Sequence, residues 1–306
     1  MEKYSRWTGV LALIFATTVW GGLFHVGKLA LAYLDPFWFT LVRYIAATIL
    51  LVGILRWNGD FRWHLLRQNW IRLMSSGLLG YGMFAILVFV GLNHSVPSHG
   101  AIIMATMPVT TLVTGWVLER QRPQWWAWGV VSIMLIGVSL VSGIWSDHNS
   151  AGSGILNGDL IALLGTLGWV VYTRQQKKLL QLSVIEYTAF TAVLALPGLF
   201  LIVIVATMLG WAHEPSAANM MHVAPAMAYI VIIATVLAAL AFNKGVRQLG
   251  ATQGIVFINL VPISALLISA FRGQIPHAME IIGTMLVISA LLIQARMTRK
   301  PLVKPL

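Results

Sequence analysis

The sequence contains no cysteine, which excludes disulfides, thiolate metal sites and cysteine nucleophiles together. Charge is scarce as well. Asp, Glu, Lys and Arg make up 9% of the 306 residues, against roughly a quarter in an ordinary soluble domain. Carboxylates are the rarest charged groups: Glu2, Asp35, Asp60, Glu119, Asp147, Asp159, Glu186, Glu214 and Glu280. None falls deep within an apolar run, so the usual intramembrane carboxylate of a proton relay or sodium site is missing. No GxxxxGK[ST], HExxH or GxSxG occurs, which argues against ATP hydrolysis, zinc proteolysis and a serine-hydrolase elbow. Neither enzymatic activity nor a cofactor or metal is expected. Long polar linkers are absent too, and the breaks between apolar runs leave no room for a soluble domain.

What is present is apolar. Hydrophobic residues make up 58% of the chain and the mean hydropathy is +0.83, so water is not its main solvent. About 20 apolar residues cross the hydrocarbon core as a helix, and ten segments qualify, at about 8–30, 36–56, 70–92, 97–118, 124–144, 156–174, 184–210, 223–244, 250–271 and 277–296. Strands are excluded because a lipid-facing sheet edge leaves backbone groups unpaired. The expected fold is an all-α integral membrane protein.

The net charge of +11 would suggest nucleic acid in a soluble protein, but here the cations cluster in short loops beside apolar spans. They indicate orientation in a bilayer, and no nucleic-acid partner is expected. With the N-terminus inside, all of the 20 Lys and Arg except Lys28, Arg43 and Arg272 lie in inner segments. Tryptophans such as Trp7, Trp38, Trp57, Trp125 and Trp211 fall at the expected interfaces. The basic start, Met1–Trp7, precedes an apolar run without an obvious small-residue cleavage site, and reads as a retained first span. The reading is a multi-pass protein of a bacterial-type inner (plasma) membrane with both termini cytoplasmic.

The chain also repeats itself. Gly91, Gly100, Pro108, Leu112 and Gly129 recur 154 residues later as Gly245, Gly254, Pro262, Leu266 and Gly283. At an offset of 149, Gly9, Leu11, Thr17, Trp20, Lys28 and Leu31 recur as Gly158, Leu160, Thr166, Trp169, Lys177 and Leu180. Two units follow, 1–145 and 146–306, with five spans each. Five is odd, so the second copy enters the membrane from the opposite side, and the repeat is inverted around a central cavity. Such a pair has two nearly equivalent conformations, as alternating access requires. A channel would show a charged ring or a Gly-rich carbonyl filter, and neither is found.

Residues near the repeat axis are the site candidates. Trp20, Phe24 and Lys28 share one face of the first span, and Trp169, Thr173 and Lys177 share the equivalent face of the sixth. With Tyr81, Phe84, Tyr172 and Phe242 they line an aromatic substrate cavity or else pack a core; the sequence leaves both open. His99 and Asn259 are uncharged candidates for orienting a polar ligand. Pro108 and Pro262, each with Gly100 or Gly254 two turns earlier, mark symmetric kinks, read as gating hinges or as prolines that neighbouring helices tolerate. Lys28 and Arg43 are the membrane-embedded charges. Arg43 can bind a substrate carboxylate bidentately, snorkel outward or pair with Asp35. Without an intramembrane carboxylate, uniport or exchange is the expected energetics.

Trp20-Gly21-Gly22 followed by Phe24, Lys28, Pro36 and Arg43, then Pro108, Glu119-Arg120, Gly129 and Gly137, resembles the EamA-type transporters of the drug/metabolite transporter superfamily, across all ten spans. One departure is Arg272-Gly273, where members often carry Gly-Glu. The resemblance implies a ten-helix basket, walled by the first, third, fourth, sixth, eighth and ninth spans, that exports small metabolites. Relatives of this kind include amino-acid exporters and nucleotide-sugar carriers. The aromatic candidates favour a neutral, aromatic or otherwise hydrophobic amino acid or similar small molecule as partner, besides the lipid bilayer. Multidrug or quaternary-cation efflux is the alternative, and a non-transporting scaffold with the stripe Gly129, Ser132 or Ile133, Gly137 a further one. The oligomeric state stays open, a monomer included.

Overall fold

The structure is a computed structural model that describes residues 2–59, 61–94, 103–104, 107–120, 122–141, 153–271 and 278–297. It is helical throughout the described elements. Ten helical segments follow one another: α1 (Glu2–Leu31), α2 (Pro36–Trp57), α3 (Trp63–His94), α4 (Met107–Glu119), α5 (Trp125–Val141), α6 (Ser153–Gln175), α7 (Val184–Met208), α8 (Ala217–Leu249), α9 and α10 (Ala278–Met297). The ninth runs as Ala251–Val256, a 3-10 turn Phe257–Asn259, and Leu260–Phe271.

Local chemistry sets the helix ends. Asp35 accepts a hydrogen bond from the Phe37 N–H at 2.8 Å, and Pro36 opens α2 with a ring that needs no N–H there. Ser183 and Glu186 form a capping box at the start of α7. Gly250, at φ 91°, ends α8 and begins α9 at once, a backbone conformation that only glycine adopts without strain. Inside the spans, buried Thr17, Thr40, Thr173 and Thr188 return their hydroxyls to carbonyls four residues back, which satisfies those donors away from water. The outer faces carry exposed Leu11, Phe15, Ile49, Val117, Leu164, Leu201 and Leu292. Such an apolar exterior suits hydrocarbon, not water.

Two helices run longer than expected, and both contain a π-helical segment. The α3 helix contains a π-helical segment at Leu78–Met83, and α8 contains one at Tyr229–Leu237. A π turn inserts an extra residue per turn. Their added length includes polar turns at Trp63–Asn69 and at Lys244–Leu249, beyond the apolar stretch. Shifted by 154 residues, the first π segment falls inside the second, so the irregularity itself is duplicated.

Packing follows the inverted repeat. Helix α1 packs on α8, and its counterpart α6 packs on α3, the counterpart of α8. Glycines make both crossings possible. A Cβ on Gly91 of α3 would fall on the Gly158 carbonyl oxygen and 2.7 Å from the Ala162 Cβ. A Cβ on Gly245 of α8 would fall on Leu13 and 2.8 Å from the Gly9 carbonyl oxygen. Gly9 matches Gly158 and Gly91 matches Gly245, so the same small-residue crossing is used twice. The pairs α2–α7, α5–α10 and α4–α9 touch their own counterparts. One end of the bundle gathers the α2–α3, α6–α7 and α8–α9 connections with Arg56, Arg62, Lys177, Lys178 and Arg247, and is called here the basic end.

Candidate functional site

The two tryptophans that the repeat pairs, Trp20 and Trp169, touch each other edge to face, with ring centroids 5.3 Å apart. A contact between repeat mates places the pseudo-two-fold axis between them. The Trp20 indole N–H donates to the Ala234 carbonyl at 2.8 Å, inside the π segment of α8. The Thr235 hydroxyl beside it reaches back five residues to the Ile230 carbonyl at 2.7 Å. Trp169 stacks obliquely on Phe84 and Tyr172 at 5.1 and 5.2 Å. Phe242 closes the back of the pair, 5.0 Å from Trp20 and 5.5 Å from Trp169.

A cavity of about 50 Å³ opens against this cluster, walled by Trp20, Leu23, Phe24, Arg43, Tyr44, Tyr81, Phe84, Phe89, Met104, Trp169 and Thr235. That space suits a few water-sized groups. Its wall residues on α2, Arg43 and Tyr44, sit seven and eight residues from Pro36, or roughly 11 Å at the helical rise. The cavity therefore lies between mid-bundle and the end opposite the basic one.

Towards the basic end the structure is shut by buried polar groups. The Tyr81 and Tyr172 hydroxyls share a hydrogen bond of 2.7 Å. The Asn243 amide donates to the Tyr172 hydroxyl at 2.7 Å and to the Thr188 hydroxyl at 2.9 Å. Thr191 donates to the Tyr81 hydroxyl at 3.4 Å, and the Tyr187 hydroxyl donates to the Tyr172 carbonyl at 2.7 Å. Gln176 donates to the Asn243 carbonyl at 3.1 Å. Four helices, α3, α6, α7 and α8, are tied together by this network. Gly80 permits it, since a Cβ there would lie 2.6 Å from the Tyr172 ring. Beyond it, Arg62 pairs with the fully buried Glu186 and donates to the Gln181 carbonyl at 2.9 Å.

The structure sorts the sequence candidates. Trp20, Phe24, Tyr81, Phe84 and Trp169 come together on the cavity, while Tyr172 and Phe242 lie just behind it, fully buried. Arg43 faces the cavity, 3% exposed. Its pairing with Asp35, one of the alternatives the sequence left open, does not form, because Asp35 is the α2 N-cap. Nor does it snorkel; Phe39, Tyr44 and Phe89 ring its guanidinium. Lys28 lies away from the cavity and donates to the Leu92 and Asn93 carbonyls at 2.7 and 3.3 Å, at the C-terminus of α3. Asn259 lies with Met134 of α5 and donates to the Val256 carbonyl at 2.9 Å. His99 and Gly100 lie outside the described residues.

Of the proposed hinges, Pro262 follows the 3-10 turn of α9. Its helix presses on α1, where a Cβ on Gly21 would meet Ser264 at 2.6 Å and the Val261 carbonyl at 2.9 Å. Gly254 holds α9 against Val246 of α8. Pro108 lines a separate cavity of about 210 Å³ with Thr111, Gln124, Trp126 and Thr252. Sequence reasoning did not find the π segments, nor the lock of Asn243, Thr188, Thr191 and Gln176. One signal was available, the Ser183-x-x-Glu186 capping spacing that buries Glu186.

A helical bundle with a lipid-compatible exterior, whose inverted halves meet at an aromatic cavity, defines a membrane transporter of the ten-helix inverted-repeat class. The EamA-like transporter family matches residues 7–143 and again 156–295, and the chain belongs to that family. It is 29% identical over 307 residues to the uncharacterized transporter YrdR of Bacillus subtilis (strain 168), covering 98% of this chain and 95% of that one. Another Bacillus subtilis relative, the uncharacterized transporter YyaM, is 26% identical over 284 residues, covering 92% and 91%. An S-adenosylmethionine/S-adenosylhomocysteine transporter of Chlamydia muridarum is 25% identical over 190 residues, covering 60% of this chain and 59% of that one. A solved crystal structure shares the fold with a TM-score of 0.72 at 16% identity, over 97% of this chain and 100% of its own.

Proposed function

We propose that this transporter exports neutral, aromatic or other hydrophobic amino acids, or similar small metabolites, across a bacterial-type inner membrane by alternating access. The observation that carries the reading is the aromatic cavity at the contact of Trp20 with Trp169. Repeat mates at the axis keep their place as the halves exchange roles, so a ligand held there is reachable from either side in turn. Aromatic walls favour a ligand with an apolar side chain. Among the described residues no carboxylate lines the cavity, which speaks against efflux of quaternary cations.

The basic end is read as cytoplasmic by its Lys and Arg excess, so both termini face the cytoplasm and the described state is shut on that side by the Tyr81–Tyr172–Asn243 lock. The two five-helix units are assigned to 1–145 and 146–306. Uniport or exchange is the expected energetics. The Chlamydia muridarum relative widens the substrate panel, since S-adenosylmethionine joins an amino-acid end to an aromatic base. Purified protein in liposomes loaded with one amino acid should take up the labelled form by counterflow, for at least one of phenylalanine, tryptophan, leucine, methionine or S-adenosylmethionine. Absence of exchange for all of these, with accumulation of cationic dyes, would refute the reading.

A further inference from the structure

We propose that Arg43 is the anion-binding residue of the cavity, and that the transported molecules carry a single carboxylate which its guanidinium grips. This deepens the amino-acid reading above and rests on the same cavity.

Arg43 is buried at 3% exposure, lines the cavity, and has an Nε with no hydrogen-bond partner. Among the described residues no carboxylate pairs with it, and the ion pair found there joins Arg62 to Glu186. Asp35 is occupied as a helix cap. Its guanidinium carbon lies 4.5, 5.0 and 5.5 Å from the Tyr44, Phe89 and Phe39 rings. Ring faces stabilise a cation and fix its orientation, but they carry no charge to neutralise it. A full positive charge thus stands at membrane depth beside an empty space, an arrangement whose cost points to function.

A second donor belongs to the same wall. The Trp169 indole N–H is buried without a partner, whereas that of its repeat mate Trp20 is satisfied by Ala234. The other polar groups on that wall carry no negative charge: the Ala234 carbonyl takes the Trp20 N–H, and the Thr235 hydroxyl donates its own hydrogen to Ile230. A cavity with unspent donors and one cation calls for an acceptor-only, negatively charged group. A planar carboxylate accepts two parallel N–H bonds from a guanidinium. The charge is not duplicated, since the position equivalent to Arg43 in the second half is Ala192 at an offset of 149 and Pro197 at 154. One guanidinium balances one negative charge, so a carboxylate fits and a phosphate dianion leaves excess charge in the membrane.

The test uses the full-length protein in liposomes and a set of probes sharing one ring: L-phenylalanine, L-phenylalaninamide, phenethylamine and 3-phenylpropionate. Each is assayed for counterflow and for thermal stabilisation of the detergent-solubilised protein. The wild type should prefer both carboxylates over the amide and the amine by at least about 10-fold, as sites built around a buried polar group do. Arg43→Gln should erase that preference by raising KM for the carboxylates, and Arg43→Lys should retain part of it. A wild type that accepts amide and acid equally, or that responds to no carboxylate, overturns the proposal whether or not the variants fold. So does Arg43→Gln with its preference intact. Transport of 3-phenylpropionate but of no amino acid would sink the amino-acid reading and support Arg43. Transport of phenylalanine without preference over its amide would do the reverse.

Discussion

Removing one hydroxyl, in Tyr172→Phe, should loosen the closed side of the transporter. Tyr172 is fully buried, and its oxygen is shared with Tyr81 at 2.7 Å and accepts from Asn243 at 2.7 Å. Phenylalanine keeps the ring and its contact with Gly80. Neither partner is orphaned, since Asn243 keeps Thr188 at 2.9 Å and the Tyr81 hydroxyl can donate to the Thr191 oxygen 3.4 Å away, whose own hydrogen goes to the Tyr187 carbonyl. The cost is therefore that of two interhelical bonds, each about 0.6 and at most about 1.7 kcal/mol in membranes, or about 1–2 kcal/mol together. If the lock exists in one access state alone, that energy moves the equilibrium by a factor of about 5–30. The chain has no cysteine, so Ser76→Cys, at a fully buried position on α3, supplies the single thiol. A membrane-impermeant thiol reagent offered from the basic end should label it about 5–30 times faster in the Tyr172→Phe background. A lower Tm with unchanged labelling would show that the network braces the fold without closing a path, and the argument would fail.

Other perturbations test other links. Gly91→Val and Gly245→Val force side chains onto backbone at equivalent crossings, and each should lower stability by about 1–3 kcal/mol. Gly129→Val, with open space around it, should leave Tm unchanged in the same detergent series. Trp20→Ala and Trp169→Ala should each reduce amino-acid counterflow at least about 10-fold at unchanged expression; undiminished transport would remove the pair from the site. Glu186→Gln keeps an acceptor for the Ser183 N–H but loses the charge facing Arg62, which is 45% exposed. The carboxylate lost is buried and also faces Arg247, while the Arg62 left behind still reaches water, so the stability cost should be about 1–3 kcal/mol, as hydrogen bonds to charged groups give, and thermal denaturation would measure it. Pro108→Ala and Pro262→Ala should slow transport if the prolines are bending points, and normal rates in both would reduce them to fold signatures.

What could be read from the sequence followed from periodic and additive signals. Ten apolar runs, the side bias of Lys and Arg and the two repeat offsets together specify an inverted bundle, because hydrophobic length and loop charge act locally. The Trp20–Trp169 pair was legible for the same reason, since an inverted duplication brings equal positions to its axis. Asn259 shows where the reasoning stops. Its depth in α9 was readable, but the face it presents was not, and the 3-10 turn at Phe257–Asn259 turns it towards Met134 instead of the cavity. The π segments were hidden likewise, because a widened turn conserves composition while rotating every later side chain by a fraction of a turn. Arg43 was visible as a buried charge. Its surroundings of three rings, with no carboxylate among the described residues, depend on α2 meeting α3, a tertiary fact.

The repeat also explains why the two sides of the cavity differ. Tyr81 and Asn243, which help lock the basic side, have Thr235 and Phe89 as their mates at an offset of 154, and Tyr172 has Leu23 at 149. All three mates line the cavity. The inversion thus places a hydrogen-bonded seal on one side of the Trp20–Trp169 contact, and at equivalent positions on the other side two apolar side chains and a threonine whose hydroxyl is spent within its own helix. If the halves exchange conformations, the three described mates would close the cavity side by van der Waals contact and ring packing, while the lock on the basic side breaks. Closing the cavity side buries apolar surface already facing lipid-like walls and gains little, whereas opening the basic side sacrifices several interhelical hydrogen bonds. The two states of an alternating-access cycle would then be unequal in energy. If so, the state closed at the basic end should be the more populated one without substrate, and labelling of Ser76→Cys from the basic end should rise when a transported substrate is added.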